Sequence, residues 1–514
     1  MASSAATPLA APPRRTLLGL GVLLLCALAL GPVLGLVAFS MAGNSGAAGL
    51  QLGSDGPRQL LNTVALVLVV GLLAALLGTA NGWLTARCQF PGRHGLRIAQ
   101  LLPLATPSYL LAATLIDLGS RIDLRVHGFA PTVLVLVLST YSYVFLLSTE
   151  SFSLSGGRQL EACRSLGVGP WGSFRRVALP MAMPAIGAGI ALAGMEVVNE
   201  LGAVELLGVP TLSSGILMRW QQNGDPQGAV ALALLALVIV GLLVAAERSL
   251  RQRSRCWNLG SDGEPDQRWP LAGPRRWLSQ ILCLLPPLIS LGLPVLWALI
   301  SWDQLQVESG LELVHLTLRS FGLALLAALF TVAAGLLLAI AKRWISSAWL
   351  RQLTFLAGLG YAIPGTVLAL ALMLIGGPLA LAPLLLLVWG YGDRFLAVSK
   401  GGLDAALERL PPSVDEAATS LGQSWAGVLR RVHLPLLRGP LLVGVLLVFV
   451  DTVKELPLTF ALRPFDFDTL AVRVFQYASD ERMGAALVPA LLILLLGLLA
   501  AVALIPSLER LDRR

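Results

Sequence analysis

Long apolar runs, separated by short polar stretches, are the dominant pattern along this chain. The first run, residues 17–39, is long enough to cross a hydrocarbon core, which takes about 20 helical residues. A cleaved signal peptide has a shorter apolar core of roughly 7 to 15 residues, so we predict a retained span. The same pattern predicts about twelve spans in all. The others are residues 60–86, 96–118, 131–148, 181–198, 229–246, 277–300, 316–341, 353–374, 379–398, 436–453 and 485–505.

Composition supports a membrane protein. Apolar residues make up 56% of the chain and charged residues 13%, whereas soluble domains average roughly 45 to 50% and 25%. The 52 glycines and 31 prolines suit a bundle in which helices pack closely and kinks are satisfied by neighbouring protein. We therefore predict an all-α membrane protein.

A polar segment occurs twice. EACRSLGVGPWGSFRRVALP occupies residues 161–180 and EAATSLGQSWAGVLRRVHLP occupies residues 416–435, an offset of 255 positions. Each copy has an acidic residue and alanine, then a glycine, then Leu-Pro. The shared positions are Glu161, Ala162, Gly167, Leu179 and Pro180 in the first copy, and Glu416, Ala417, Ala418, Gly422, Leu434 and Pro435 in the second.

The repeat divides the chain into two similar halves. A flexible leader, residues 1–16, precedes a first repeat over residues 17–246. An arginine-rich linker, residues 247–276, leads to a second repeat over residues 277–514. Six predicted spans in each half is an even number, so both halves insert in the same direction, which is a known transporter plan.

The basic residues test this topology. Net charge is +8, with 37 Lys and Arg. With both termini in the cytoplasm, most of these residues fall in cytoplasmic segments, including the linker arginines, Arg394 and Lys400, as the positive-inside rule expects. The predicted topology thus explains the positive net charge, and no nucleic-acid partner is predicted.

Each polar segment has the features of a docking hairpin. An acidic residue and alanines, then a glycine, predict a short helix that ends at a residue able to take positive φ, followed by a turn and a second short helix. The alternative is a connection with no partner. Two copies with equal spacing favour a partner that contacts both.

At these residues the chain resembles a known family. The two segments resemble the EAA loops of permease subunits of binding-protein-dependent ABC transporters, although Cys163 replaces a usual alanine. Residues 101–112, 361–370 and 451–482 resemble the fused ferric iron importer permeases in particular. The resemblance implies the type I ABC importer permease fold, a bacterial inner-membrane location, an ATP-binding subunit dimer and a periplasmic substrate-binding protein. It also implies that ATP and Mg²⁺ reside on those partner subunits, with no cofactor on this chain.

What the sequence lacks agrees with that assignment. It contains no G-x-x-x-x-G-K-[ST] phosphate loop, so nucleotide is expected on another chain. His94, His127, His315 and His433 are scattered, and the five cysteines show no paired spacing. We therefore predict a transport subunit that is not itself an enzyme, and no metal site is assigned.

Two acidic pairs are candidates for the substrate path. Glu196 and Glu200, and Asp451 and Glu455, are each four residues apart, which predicts both carboxylates of a pair on one helix face. Carboxylates at membrane depth are functional candidates, and their oxygens suit hard cations such as ferric iron. The structural alternative is that these acids lie in solvated helix ends and pair with cations. The candidates for that pairing are Lys454, Arg463 and Arg219.

Three classes of function remain open at this point. An ABC importer permease for ferric iron is favoured, with thiamine or another small solute as alternative cargo. An ion-coupled secondary transporter would need no ATP-binding subunit. A membrane scaffold would carry no flux.

Overall fold

The structure, a computed structural model, consists mostly of helices. It describes residues 15–42, 52–154, 162–163, 165–257, 268–304, 306, 309–345 and 348–512. The first-half helices are α1 (Arg15–Ala42), α2 (Gly56–Arg87), α3 (Arg93–Ala99), α4 (Ser108–Ser120), α5 (Phe129–Leu154), α6 (Pro170–Ser173), α7 (Leu179–Asn199), α8 (Gly202–Leu206), α9 (Leu212–Leu217) and α10 (Pro226–Trp257). Strands β1 (Cys88–Gln89) and β2 (Trp269–Pro270) pair in parallel.

The second half repeats this order. Its helices are α11 (Pro274–Pro287), α12 (Leu293–Ile300), α13 (Gly310–Trp344), α14 (Ala348–Ala357), α15 (Gly365–Gly376), α16 (Pro383–Glu408), α17 (Ser413–Ser420), α18 (Trp425–Val428), α19 (Leu434–Lys454), α20 (Pro457–Leu462), α21 (Leu470–Ser479) and α22 (Met483–Asp512).

Within the described residues, eight helices are long and apolar enough to cross a membrane, and two sharply bent pairs raise that number to ten. The two remaining predicted spans, residues 379–398 and 485–505, fall on α16 and α22. Helix α16 carries several charged side chains, and the described side chains of α22 include an apolar stretch over Met483–Leu499. A multi-pass helical membrane protein is therefore confirmed, whereas a total of twelve spans stays a prediction.

Two of the predicted spans are broken. The chain bends by 90° between Arg93–Ala105 and Ser108–Ser120, and by 115° between Ala348–Ala362 and Gly365–Gly376. Pro107 and Pro364 lie at the breaks and take extended ψ angles of 140° and 139°. Proline has no N–H to donate and disfavours helix in the residue before it, so each break follows from the sequence.

The halves exchange their first helices. Helix α1 packs against α14 and α15 of the second half, where Val22, Cys26 and Ala29 meet second-half side chains in one buried cluster. The Trp389 indole donates to the Leu28 carbonyl at 2.9 Å. Each half is therefore completed by a helix of the other.

The reciprocal exchange places α11 and α12 against the first half. Helix α11 packs on α3, and α12 packs on α4. A buried polar cluster anchors α11: the Asn81 amide donates to Gln100 at 2.9 Å, and the Gln100 amide donates to the Cys283 carbonyl. Because these groups are buried, their mutual pairing fixes how the helices pack.

Small residues allow close approach of α2 and α5. A Cβ on Gly78 would lie 2.8 Å from the backbone oxygen of Tyr141 and 2.8 Å from the backbone nitrogen of Phe145. Backbone atoms cannot move aside as a flexible side chain can. The contact is typical of membrane helices that pack through small residues.

We expect Gly78→Ala to destabilise the protein by about 1–3 kcal/mol, because the added methyl forces α2 and α5 apart. The matched control is Gly241→Ala, since a Cβ at Gly241 meets nothing within 4 Å. Thermal denaturation in detergent measures both. Equal melting temperatures for the two variants would contradict the close packing of α2 on α5.

Candidate functional site: paired coupling loops and a central cavity

The two repeated segments, hereafter the coupling loops (residues 161–180 and 416–435), share one backbone turn. Gly167 and Gly422 have φ angles of 74° and 76°, the region that only glycine adopts freely. Helix α17 ends at Ser420, directly before the second turn. The predicted helix, left-handed glycine and second helix are thus present. Glu161 lies outside the described residues.

Both loops expose the same kind of surface. Leu166 and Leu421, each just before the glycine, are both 81% exposed. Ala162, Glu416 and Ala417 are exposed as well, whereas Ala418 is buried. An exposed leucine next to small residues at the same position in each half offers two equivalent apolar contact points. The docking role of these loops remains a prediction.

Each coupling loop contains a π-helical turn, a feature that sequence analysis missed. Phe174–Ala178 and Leu429–His433 are π-helical, and the N–H groups of Leu179 and Leu434 donate to carbonyls five residues back. The proline that follows each leucine has no N–H, which loosens the normal ladder there. The Leu179-Pro180 and Leu434-Pro435 pairs therefore mark where these turns join the long helices α7 and α19.

The second coupling loop has an extra buried anchor. Arg343 donates to the Asp415 carboxylate at 2.7 Å, and the His433 ring nitrogen Nε2 lies 3.0 Å from the same carboxyl group. In the first half Arg87, at the end of α2, donates to the Phe152 carbonyl of α5 at 2.6 Å. Arg87 thus joins α2 to α5 and Arg343 joins α13 to α17, but the carboxylate anchor is described only for the second half.

A cavity of about 110 Å³ lies between the two halves, where the broken spans meet the ends of α7 and α19. Its charged lining consists of four carboxylates and two cations. These residues are Glu196, Glu200, Asp451, Glu455, Arg394 and Lys454. Tyr109, Tyr143, Tyr361 and Asn199 also line it. The structure therefore brings together all four acidic residues singled out from the sequence.

Glu200 and Glu455 do not share a helix face with their partners, so that part of the prediction was wrong. Helix α7 ends at Asn199 and α19 ends at Lys454. Glu200 and Glu455, the next residue in each case, have extended backbone. Glu200 accepts from the Ser108 hydroxyl at 2.6 Å and from the Ala203 N–H at 2.9 Å. A four-residue spacing implies a shared face only while the helix continues.

Glu455 is held even more firmly. Its carboxylate accepts from the backbone N–H groups of Leu458 and Thr459 at 3.1 Å and from the Thr459 hydroxyl at 3.0 Å. These bonds satisfy the first turn of α20, as a capping residue does. For Glu200 and Glu455 the structure favours a structural role.

Glu196 and Asp451 differ from those capping residues. Glu196 faces the cavity, and within the described part of the chain its carboxylate has no assigned hydrogen bond or ion pair. Asp451, its equivalent in the second half, pairs with Lys454 at 2.9 Å. The first-half acid is therefore the more available of the two.

The predicted cation partners are only partly right. Lys454 does pair with an acid of the cavity, but Arg463 pairs with Asp468, and Arg219 lies 3.8 Å from Asp225. The second cavity cation is Arg394, which the sequence interpretation counted among cytoplasmic residues. It is buried in α16, and its Nε lies 3.8 Å from Glu455. The sequence interpretation assigned Arg394, which lies inside a predicted span, to the neighbouring cytoplasmic loop, because the sequence does not show which spans surround a polar cavity.

Among the described residues, the cavity contains no preformed metal-binding site. Within the described residues, no group of three or more His, Cys, Asp or Glu side chains is placed to hold a metal ion. Four carboxylates against two cations nonetheless give the lining an excess of negative formal charge.

The chain belongs to the family of binding-protein-dependent transport system inner membrane components, whose model matches residues 78–254 and 331–505. The two matches confirm the duplication. The chain is 26% identical over 447 residues, 85% of its length and 87% of the other's, to the Fe(3+)-transport system permease protein FbpB 2 of Haemophilus influenzae. This similarity agrees with the resemblance to fused ferric permeases.

Relatives named for sulfate or molybdenum transport match shorter stretches. A probable sulfate transport system permease protein of Nephroselmis olivacea is 30% identical over 210 residues, which is 38% of this chain and 74% of that protein. The molybdenum transport system permease protein ModB of Escherichia coli is 30% identical over 209 residues, which is 35% of this chain and 90% of that protein. The family is thus established, and the cargo is not.

We expect Glu455→Ala to lower stability by about 2 kcal/mol or more, because buried N–H groups of α20 lose their acceptor. Glu196→Ala is the matched control, since Glu196 accepts no assigned bond. Melting temperatures in detergent should fall for the first variant only. A similar loss for both variants would mean that the cap at Glu455 is not specific.

Proposed function

We propose that this chain is the permease subunit of an ABC importer that moves a cationic cargo, ferric iron in the first place, across the bacterial inner membrane. A periplasmic binding protein delivers the cargo, and separate ATP-binding subunits, which hold ATP and Mg²⁺, supply the energy. The observation that carries the choice of cargo is the cavity lining, where four carboxylates face two cations.

The coupling loops are the proposed contacts with the ATP-binding dimer. Both present an exposed leucine and a left-handed glycine at equivalent positions. From each loop one continuous helical rod, Pro170–Asn199 or Trp425–Lys454, runs to the cavity. At about 1.5 Å per residue such a rod is on the order of 45 Å long. Movement of a loop can therefore reach the cavity through a single rigid element.

The cavity chemistry favours iron among the candidate cargoes. Carboxylate and phenol oxygens are hard ligands, and ferric iron is a hard cation that prefers them. The relative that matches most of the chain is named for Fe(3+) transport. Glu196 and Asp451, one from each half, are the proposed transient contacts, while Glu200 and Glu455 frame the path.

Thiamine, another cation, is the alternative cargo. The excess of carboxylates in the cavity lining disfavours the anions sulfate and molybdate as cargo. An ion-coupled secondary transporter would use the same cavity without ATP, and the dependence of uptake on ATP decides between the two mechanisms.

We expect Gly167→Val and Gly422→Val each to reduce ATP-driven uptake by at least tenfold, because a β-branched residue cannot hold φ near 75° without strain. Gly401→Val in α16 is the control, since a Cβ there meets nothing within 4 Å. Uptake in proteoliposomes and copurification of the ATP-binding subunit measure the effect. Full uptake by both loop variants would refute coupling through these turns.

We expect ferric iron presented by its binding protein to stimulate ATP hydrolysis by the wild-type complex, and sulfate or molybdate to have no effect. Glu196→Gln should reduce iron uptake several-fold while the complex still assembles, because it removes the most available carboxylate. Stimulation by an oxyanion instead of iron, or undiminished uptake by Glu196→Gln, would overturn the proposed path.

A further inference from the structure

Both cations of the central cavity belong to the second half, and each contacts a carboxylate and the first half at once. Arg394 donates to the Asn199 side chain at 2.9 Å, and its Nε lies 3.8 Å from Glu455. Lys454 pairs with Asp451 at 2.9 Å and donates to the Leu104 carbonyl at 3.0 Å. The ion pairs of the cavity and the bonds between the halves therefore use the same two side chains.

The contacts between halves are reciprocal. Asn199 and Lys454 are the last residues of α7 and α19, at the 255-residue offset of the repeat. Asn199 accepts from the Gly365 N–H at 2.7 Å, at the second-half break, while Lys454 donates to Leu104, just before the first-half break. The end of each rod is thus bonded to the broken span of the other half.

We propose that Arg394 and Lys454 are tethered cations that help to hold the halves together in the absence of cargo, and that a cationic cargo displaces them from the carboxylates and so releases their own bonds to the first half. Arg394 and Lys454 are positioning residues in this account, together with Asn199. The inference rests on the proposed path of a cation through this cavity.

Electrostatics favours replacement of Arg394 and Lys454 by the cargo at the carboxylates. Buried carboxylates need compensating charge, and the two side chains supply it in the empty cavity. A multivalent cation competes for the same oxygens and repels a neighbouring ammonium or guanidinium group. Displacement of Lys454 breaks its bond to Leu104, and displacement of Arg394 breaks its bond to Asn199.

The consequence reaches the coupling loops. Asn199 and Lys454 end the rods whose other ends are the coupling loops. Loss of the Lys454–Leu104 and Arg394–Asn199 bonds leaves the rod ends with fewer polar contacts to the other half, the Gly365–Asn199 bond among those that remain. Both rods then move more readily at the cavity, and the loops can follow the ATP-binding subunits. Cargo would thereby stimulate ATP hydrolysis, and the complex without cargo would hydrolyse ATP slowly.

The test measures ATP hydrolysis by the complete complex in proteoliposomes, with and without binding protein loaded with ferric iron. The variants are Lys454→Gln, which breaks the bond to Leu104, and Asn199→Leu, which removes the acceptor for both Arg394 and Gly365. Arg473→Gln removes an arginine that pairs with Glu312 and Asp468, outside the cavity. Copurification with the ATP-binding subunits reports assembly.

We expect hydrolysis without cargo to rise in Lys454→Gln and Asn199→Leu, on the order of tenfold for the loss of one charge-assisted bond, and stimulation by cargo to fall toward onefold. Arg473→Gln should keep the wild-type ratio. If Asn199→Leu fails to assemble, Lys454→Gln decides. A purely structural role would lower both rates together and leave their ratio unchanged, and that result would overturn the proposal.

The rate of ATP hydrolysis without cargo distinguishes the tethered-cation proposal from the assignment of ferric iron as the cargo. If the wild-type complex ignores ferric iron, the iron assignment fails, yet a raised cargo-free rate in Lys454→Gln still supports the tethered cations. If iron stimulates the wild type and Lys454→Gln behaves identically, the cargo assignment stands and the tethered-cation proposal fails.

Discussion

The breaks at Pro107 and Pro364 impose a requirement on the rest of the structure. Where a span is interrupted inside a membrane protein, the freed backbone groups must find partners, because no water is available in the bilayer core. Here the partners come from the opposite half: Lys454 bonds the Leu104 carbonyl, and Asn199 bonds the Gly365 N–H. The polar cavity exists at this point because two broken spans meet there.

The exchange of first helices complements this arrangement. Helix α1 packs on the second half, and α11 and α12 pack on the first, through apolar clusters and buried polar contacts. The contacts of the first helices are mostly apolar, whereas the contacts around the cavity combine buried apolar packing with the polar and charged bonds of Asn199, Arg394 and Lys454. A change of charge in the cavity acts on those charged bonds while the first helices keep the halves joined.

The sequence predicted the features that repeat or that follow from local chemistry. The duplication, the apolar spans and the left-handed Gly167 and Gly422 needed only composition, spacing and glycine geometry. It failed where tertiary context decides. Hydropathy cannot distinguish a continuous span from one broken at Pro107, although the proline was a usable signal. The capping role of Glu455 depends on a helix end that apolar periodicity does not mark. Arg394 was misplaced because its burial is provided by the other half.

The central claim is that two halves of the same orientation present both coupling loops to one ATP-binding dimer. The most direct test introduces Leu166→Cys or Leu421→Cys into a variant lacking Cys163 and labels sealed vesicles of known orientation with a membrane-impermeant thiol reagent. Both positions are exposed, and the account predicts that both react from the cytoplasmic face only and both cross-link to the ATP-binding subunit. Labelling of the two positions from opposite faces would contradict it.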